Sequence, residues 1–244
     1  MNMFDFLNKN KNVENPQGYS TRVKRSKKLL GFNASKSTDE SYKHLRTFLL
    51  NSEKHDGCPV FAIVAPNEKT GCSLVASNLA VSFAQLGKKV LLIDANMRNP
   101  KISKNFGLLH GVGLSDVLSV EGDSIFELTG AVVPSGIGAL DVLIAGNVPP
   151  NPAELLASKS FEDLLAKAKT VYEYVLIYLP PVCDVADACV IKESVTGYIF
   201  TVRSAKTDSR SAKAAIGKLE SNGGKIIGTV LTDVNSFFAK FLNK

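Results

Sequence analysis

The segment Val64-Ala65-Pro66-Asn67-Glu68-Lys69-Thr70-Gly71-Cys72-Ser73-Leu74 joins an apolar run to a helical pattern, and its residue types bear on phosphate chemistry. A phosphate-cradling loop would end in Gly-Lys-Ser/Thr at positions 71–73. The glycine lets backbone N–H groups approach the anion, the lysine holds the β- and γ-phosphates, and the hydroxyl holds magnesium. Gly71 and Ser73 fit, and Cys72 stands in the lysine's place. A thiol supplies no fixed positive charge. Taken alone, the spacing describes an ordinary strand-to-helix turn equally well. Lys69, three residues earlier, has two readings: a solvated loop lysine, or a side chain long enough to reach the phosphates. Asp94, ending the next apolar run, also has two: a cap for the following turn, or a magnesium ligand, a role open to Asp184 and Asp187 as well. At Cys72 a buried or half-buried thiol is expected rather than a reactive one, although a helix N-terminus lowers a thiol's pKa.

These residues need a scaffold that brings strand ends together. Continuous apolar runs at Pro59–Val64, Lys89–Ile93, Leu140–Ile144, Tyr174–Leu179, Tyr198–Val202 and Ile226–Leu231 read as six strands buried on both faces. Helical patterns alternate with them. One starts at Ser37 or Thr38 as cap, with Leu45, Phe48 and Leu49 on its apolar face. Others run over Ser73–Leu86 (stopped by Gly87), Pro152–Lys169 (one or two helices), 184–195 and Ser209–Glu220. The alternation predicts an α/β fold: a doubly wound, mostly parallel sheet with helices on both faces and right-handed crossovers. In such sheets ligands bind beyond the carboxyl ends of the strands. That directs attention to 65–73, 94–98, 178–187, Arg203 and Thr232.

The wider register is specific. It includes Glu40-Ser41-Tyr42-Lys43-His44-Leu45-Arg46-Thr47, Asn78-Leu79-Ala80, Gly87-Lys88-Lys89-Val90-Leu91-Leu92-Ile93-Asp94 and Arg98-Asn99-Pro100. Gly113-Leu114-Ser115-Asp116-Val117-Leu118, Pro149-Pro150-Asn151-Pro152-Ala153-Glu154-Leu155-Leu156, Pro180-Pro181-Val182 and Asp187-Ala188 follow. From about Ser37 to Asp233 the chain resembles the bacterial tyrosine kinases (BY-kinases) of capsule and exopolysaccharide synthesis, in their stand-alone cytoplasmic form. That family shares the MinD-like P-loop ATPase fold. The resemblance implies ATP and magnesium as cofactors. It implies nucleotide contacts at Lys69, Thr70, Gly71, Cys72, Ser73, Leu74, Arg98, Tyr178, Asp187 and Thr232, magnesium at Ser73 and Asp94, and a catalytic role for Asp94.

The departures from the family pattern fall on the chemistry. Cys72 replaces the P-loop lysine, and Leu74 the threonine usual at that position. Asp94-Ala95-Asn96-Met97-Arg98 stands for Asp-x-Asp-x-Arg, Tyr178 for the magnesium-supporting Asp, and Thr232 for the adenine-contacting Asn. The family's C-terminal tyrosine cluster is missing: the last tyrosine is Tyr198, and the tail reads Phe237-Phe238-Ala239-Lys240-Phe241-Leu242-Asn243-Lys244. Phosphoryl transfer is largely positioning and electrostatic stabilisation. Losing one pre-organised donor costs on the order of 2.7–4 kcal/mol by analogy with oxyanion holes. The reading is therefore a regulatory pseudokinase-like member that tunes polysaccharide synthesis through a membrane modulator. Its alternatives are an active tyrosine kinase with a divergent site and a MinD-like ATPase scaffold.

Charge divides the 244 residues unevenly. Residues 1–36 hold eight basic and two acidic side chains, 8 − 2 = +6, which is the whole formal charge; residues 37–244 balance at 21 against 21. The body carries no excess of positive charge for a nucleic-acid surface, and no nucleic-acid partner is expected. No apolar run approaches the roughly 18 residues of a membrane helix, and the polar start is no signal peptide. Cys58, Cys72, Cys183 and Cys189 show no metal-ligand spacing, in keeping with reduced thiols in the cytoplasm. The organisation expected is a flexible basic leader (1–36) with a short amphipathic start at Met3, Phe4, Phe6 and Leu7, a kinase-like domain (37–235) and a short tail (236–244). The leader either meets an anionic inner membrane surface or serves as a solubilising tail. Glu40-x-x-Lys43-x-x-Arg46 matches, with Lys for the first Arg, the family's Glu-x-x-Arg-x-x-Arg ring-forming pattern. It is expected either to pair across a homo- or hetero-oligomer boundary or to be a solvated face.

Overall fold

Each apolar run becomes a strand because residues buried on both faces of a sheet have no polar side to show water. The computed structural model describes residues 26, 29–30, 35–52, 57–119 and 130–234. The elements are α1 (Lys36–Ser52), β1 (Val60–Val64), α2 (Cys72–Gln85), β2 (Val90–Asp94), α3 (Ile102–Phe106), α4 (Leu114–Ser119), β3 (Val132–Pro134) and β4 (Leu140–Leu143). There follow α5 (Pro152–Leu156), α6 (Lys159–Val171), β5 (Tyr174–Tyr178), α7 (Asp187–Val190), a 3₁₀ turn (Lys192–Ser194), β6 (Gly197–Arg203), α8 (Ser209–Ser221) and β7 (Ile226–Thr232). The strands form one sheet in the order β3-β4-β2-β5-β1-β6-β7, parallel throughout except for β3 against β4.

Alternate residues of each strand feed two cores. Phe61, Ile63, Leu92, Leu176 and Ile199 pack beneath α1, α2 and α3; Ala62, Val64, Leu91, Val175 and Ile177 pack beneath α4 to α8. Burying Val75, Leu79 and Phe83 of α2 contributes about 1.5–3 kcal/mol for each side chain. That helix ends where Gly87 takes a left-handed φ of 82°, its amide bonded back to the Ala84 carbonyl at 3.0 Å.

Several expectations need correction. A seventh strand exists: β3 has three residues and a proline, too short to leave a periodic signal. β7 is an edge strand with alternate residues exposed, not a buried one. The helix expected over 184–195 contracts to α7 and the 3₁₀ turn, and 152–169 divides into α5 and α6. α1 is capped by Ser35, whose Oγ accepts the Thr38 amide at 3.1 Å, rather than by Ser37 or Thr38. Leu29 and Leu30 lie buried in the α2–α3 core; the Leu30 amide donates to Asn78 Oδ1 at 2.9 Å, and the Ser26 amide to the Asn105 carbonyl at 3.0 Å. The folded unit therefore takes in part of the segment assigned to the leader. The amphipathic start at Met3–Leu7 and the tail 236–244 lie outside the described residues. No helix among the described residues is long and apolar enough to cross a membrane.

Candidate functional site

β1, β2, β5, β6 and β7 all point their carboxyl ends at one cleft of about 1090 Å³. Its lining includes Lys69, Thr70, Gly71, Cys72, Ser73, Leu74, Tyr178 and Thr232, eight of the residues singled out in the sequence. The β1–α2 loop forms because Lys69 and Gly71 both take left-handed backbone, with φ of 60° and 87°. Gly71 is the N-cap of α2, and the amides of Leu74 and Val75 fold back on its carbonyl at 3.0 and 2.9 Å. The amides of Thr70, Gly71, Cys72 and Ser73 have no acceptor among the described residues. Consecutive amides in this arrangement, at the positive end of a 14-residue helix, make a concavity suited to an anion.

Apart from Lys69, whose exposed side chain has no partner among the described residues, the side chains nearest that concavity are neutral or engaged. Cys72 is 7% exposed, and burial pushes its thiol up to about 12. The lowering expected at a helix N-terminus is overturned, because desolvation of the thiolate outweighs the helix dipole. Tyr178 ends β5 opposite Asp94 of β2. Burial raises its phenol, and its hydroxyl accepts the Asn96 side-chain amide at 3.0 Å. Asn96 in turn accepts the Asn99 amide at 3.1 Å. The Thr232 hydroxyl donates to the Thr70 carbonyl at 2.6 Å, fastening β7 to the loop.

Asp94, Arg98 and Asp187 do not line the cleft. Asp94 is fully buried; its Oδ2 accepts the amides of Ile102 at 2.9 Å and Lys101 at 3.0 Å, and its Oδ1 that of Asn96 at 3.2 Å. It caps α3, the first of its two readings. Burial raises its carboxyl to about 7 against the pull of those three amides. Asp187 is buried beside Arg98 at 3.6 Å, and neither carboxylate oxygen has a hydrogen-bond partner among the described residues. Burial raises it, and Arg98 opposes the shift. Asp184 is exposed outside the cleft lining. The cleft's own carboxylates are Glu68, which accepts the Asn99 side-chain amide, and Asp233, which accepts Arg203. With Asp94 closed off, Ser73 is the implied magnesium ligand left in the lining, and a lone hydroxyl does not fit a magnesium ion unless substrate phosphates supply further oxygens.

The α1 triad is divided. Lys43 pairs within its own helix with Glu40 at 2.7 Å and Asp39 at 2.9 Å. Arg46 turns the other way and donates to the Ser82 carbonyl and hydroxyl on α2. The three side chains therefore do not share the single outward face that their spacing suggested. Sequence reasoning misses the pairing of Arg203 with Asp233: the pattern marks Arg203 only as a strand end, and nothing local announces its partner.

No family model matches the chain. It is 37% identical over 194 residues, 79% of both chains, to the tyrosine-protein kinase YwqD of Bacillus subtilis (strain 168). Among solved structures it matches the kinase domain of the Escherichia coli tyrosine kinase ETK with a TM-score of 0.80, at 28% identity over 95% of this chain and 87% of that one. The septum site-determining protein MinD of Pyrococcus horikoshii shares the fold, with a TM-score of 0.60, 20% identity and coverage of 76% and 77%. A likeness of this extent to YwqD, carried by a cleft built on the β1–α2 loop of a MinD-like P-loop fold, decides the matter: the chain belongs to the bacterial tyrosine kinase family of capsule and exopolysaccharide synthesis.

Proposed function

We propose that the chain is a regulatory, pseudokinase-like member of its family, one that acts by binding rather than by phosphoryl transfer. The observation that supports this most is the Asn96–Tyr178 hydrogen bond at 3.0 Å. These two residues hold the positions where the family pattern has a pair of strand-end carboxylates. Two carboxylates at hydrogen-bond distance repel unless a cation lies between them. A neutral amide and phenol satisfy each other without one. Cys72 removes the charge of the P-loop lysine, while the amides of 70–73, unpaired among the described residues, leave the anion cradle in place. The partner on this reading is a membrane-bound modulator of polysaccharide synthesis, at the inner face of the membrane.

The test offers full-length chain, magnesium-ATP and the cytosolic tail of such a modulator a tyrosine-containing protein, and follows labelled phosphate. Transfer no faster than without the chain is the expected result. Transfer that disappears in Asp94→Ala would overturn the reading in favour of a working kinase that uses Lys69 and Asp94.

A further inference from the structure

The cleft has lost its lysine, yet a guanidinium stands at the mouth of the loop. Arg203, the last residue of β6, donates Nη1 to the Lys69 carbonyl at 3.0 Å, and Nε to Asp233 Oδ2 at 2.8 Å, with Nη2 on that same oxygen. It thus joins the loop to the residue that follows β7. Both joined residues have left-handed backbone without being glycine, φ 60° at Lys69 and 58° at Asp233. The Arg203 and Asp233 side chains are 35% and 52% exposed and both line the cleft. An ion pair so open to water is weakly held. A diphosphate seated on the amides of 70–73 would bring at least two negative charges to the same mouth, in a shape that a guanidinium fork matches better than a lone carboxylate oxygen does.

We propose that Arg203 joins Lys69 as a cation this cleft offers to a bound diphosphate, and that Asp233 holds the guanidinium while the cleft is empty of anion. The inference rests on reading the loop as a phosphate cradle and goes beyond it by naming the counter-charge and its reserve partner. When the anion binds, the guanidinium passes from Asp233 to the ligand, and the Thr232–Thr70 hydrogen bond is left to hold β7 to the loop.

Calorimetry on the full chain tests this with inorganic pyrophosphate and ADP as separate probes. Asp233→Asn frees the guanidinium and is expected to tighten pyrophosphate several-fold. Arg203→Gln is expected to weaken it about tenfold, as loss of a charge-assisted fork requires, and Arg203→Lys to fall between Arg203→Gln and wild type. The double variant should match Arg203→Gln alone. Thermal unfolding without ligand shows that each variant is folded. If Arg203 were only a strut for the loop, Asp233→Asn and Arg203→Gln would both weaken binding, and that result overturns the proposal. Binding of ADP with none of pyrophosphate overturns it too, as does failure of both probes at millimolar concentration; neither bears on whether the chain transfers phosphate. Phosphoryl transfer by the wild type would instead overturn the regulatory reading and leave the opposite signs at Asp233 and Arg203 intact.

Discussion

Two loop clusters lie at the carboxyl edge of the same sheet, and they treat the family's motifs in opposite ways. In the first, around Gly113 and Gly146, nearly every polar atom is locked. The Gly113 amide and the Asn147 side chain donate to Asp116 at 2.9 and 2.7 Å, and the amides of Leu114 and Ser115 bond the carbonyls of Ile144 and Ala145. A side chain on Gly113 would meet the Gly146 nitrogen at 2.2 Å. On the regulatory reading, the second cluster, the cleft, keeps its backbone and exchanges its chemical groups. A residue that holds two loops together has no substitute. A residue whose only duty is to touch a ligand has several, provided that close neighbours change together, which is how that reading takes the bonded pair Asn96 and Tyr178.

That contrast can be broken experimentally. The largest effect belongs to Gly113→Ala, which drives a methyl into backbone atoms that cannot give way; it should cost more than about 3 kcal/mol in urea unfolding. A loss below 1 kcal/mol would show that the first cluster is as permissive as the cleft.

Next is Asp94. Its folded carboxyl lies near 7, above its unfolded value, so its contribution to stability is fully present below about pH 4 and is lost as pH rises to 7. Each tenfold change in proton affinity is on the order of 1.4 kcal/mol. Asp94→Asn should flatten the decline of stability between pH 4 and 7. An unchanged slope would mean that the buried cap ionises freely. Smaller again is the return of the exchanged groups. Cys72→Lys with Asn96→Asp and Tyr178→Asp should raise affinity for magnesium-ATP at least tenfold by calorimetry, about 1.4 kcal/mol. No gain would mean that the cleft has changed in shape as well as in charge. The smallest effect is at the opposite edge of the sheet, where Lys88 pairs with Glu173 at 2.7 Å and holds that carboxyl below its usual range. The pair is exposed and screened, so Glu173→Gln should alter stability by less than about 1 kcal/mol.

Most of the sheet was legible because its strands are continuous apolar runs, and the cleft because its loop lies between two of them. What escaped depended on distant partners. β3 is readable only against β4. Arg46 shares a spacing with Glu40 and Lys43, yet Ser82 of α2 decides which way it points. The two readings of Asp94 were separable only by its burial and three amide donors, and the state of Cys72 by the desolvation that outweighs its helix end. Leu29 and Leu30 sit in a stretch whose charge overshadowed them.

The place of β1 in the sheet has a consequence during synthesis. Val60–Val64 pairs only with β5 and β6, whose residues run from Tyr174 to Arg203. The strand that leads into the anion cradle therefore leaves the ribosome more than a hundred residues ahead of either neighbour. Until they emerge it is an unpaired apolar edge, and such long-range parallel pairing is slow and exposed to aggregation. Folding of the cleft waits for the C-terminal third of the chain.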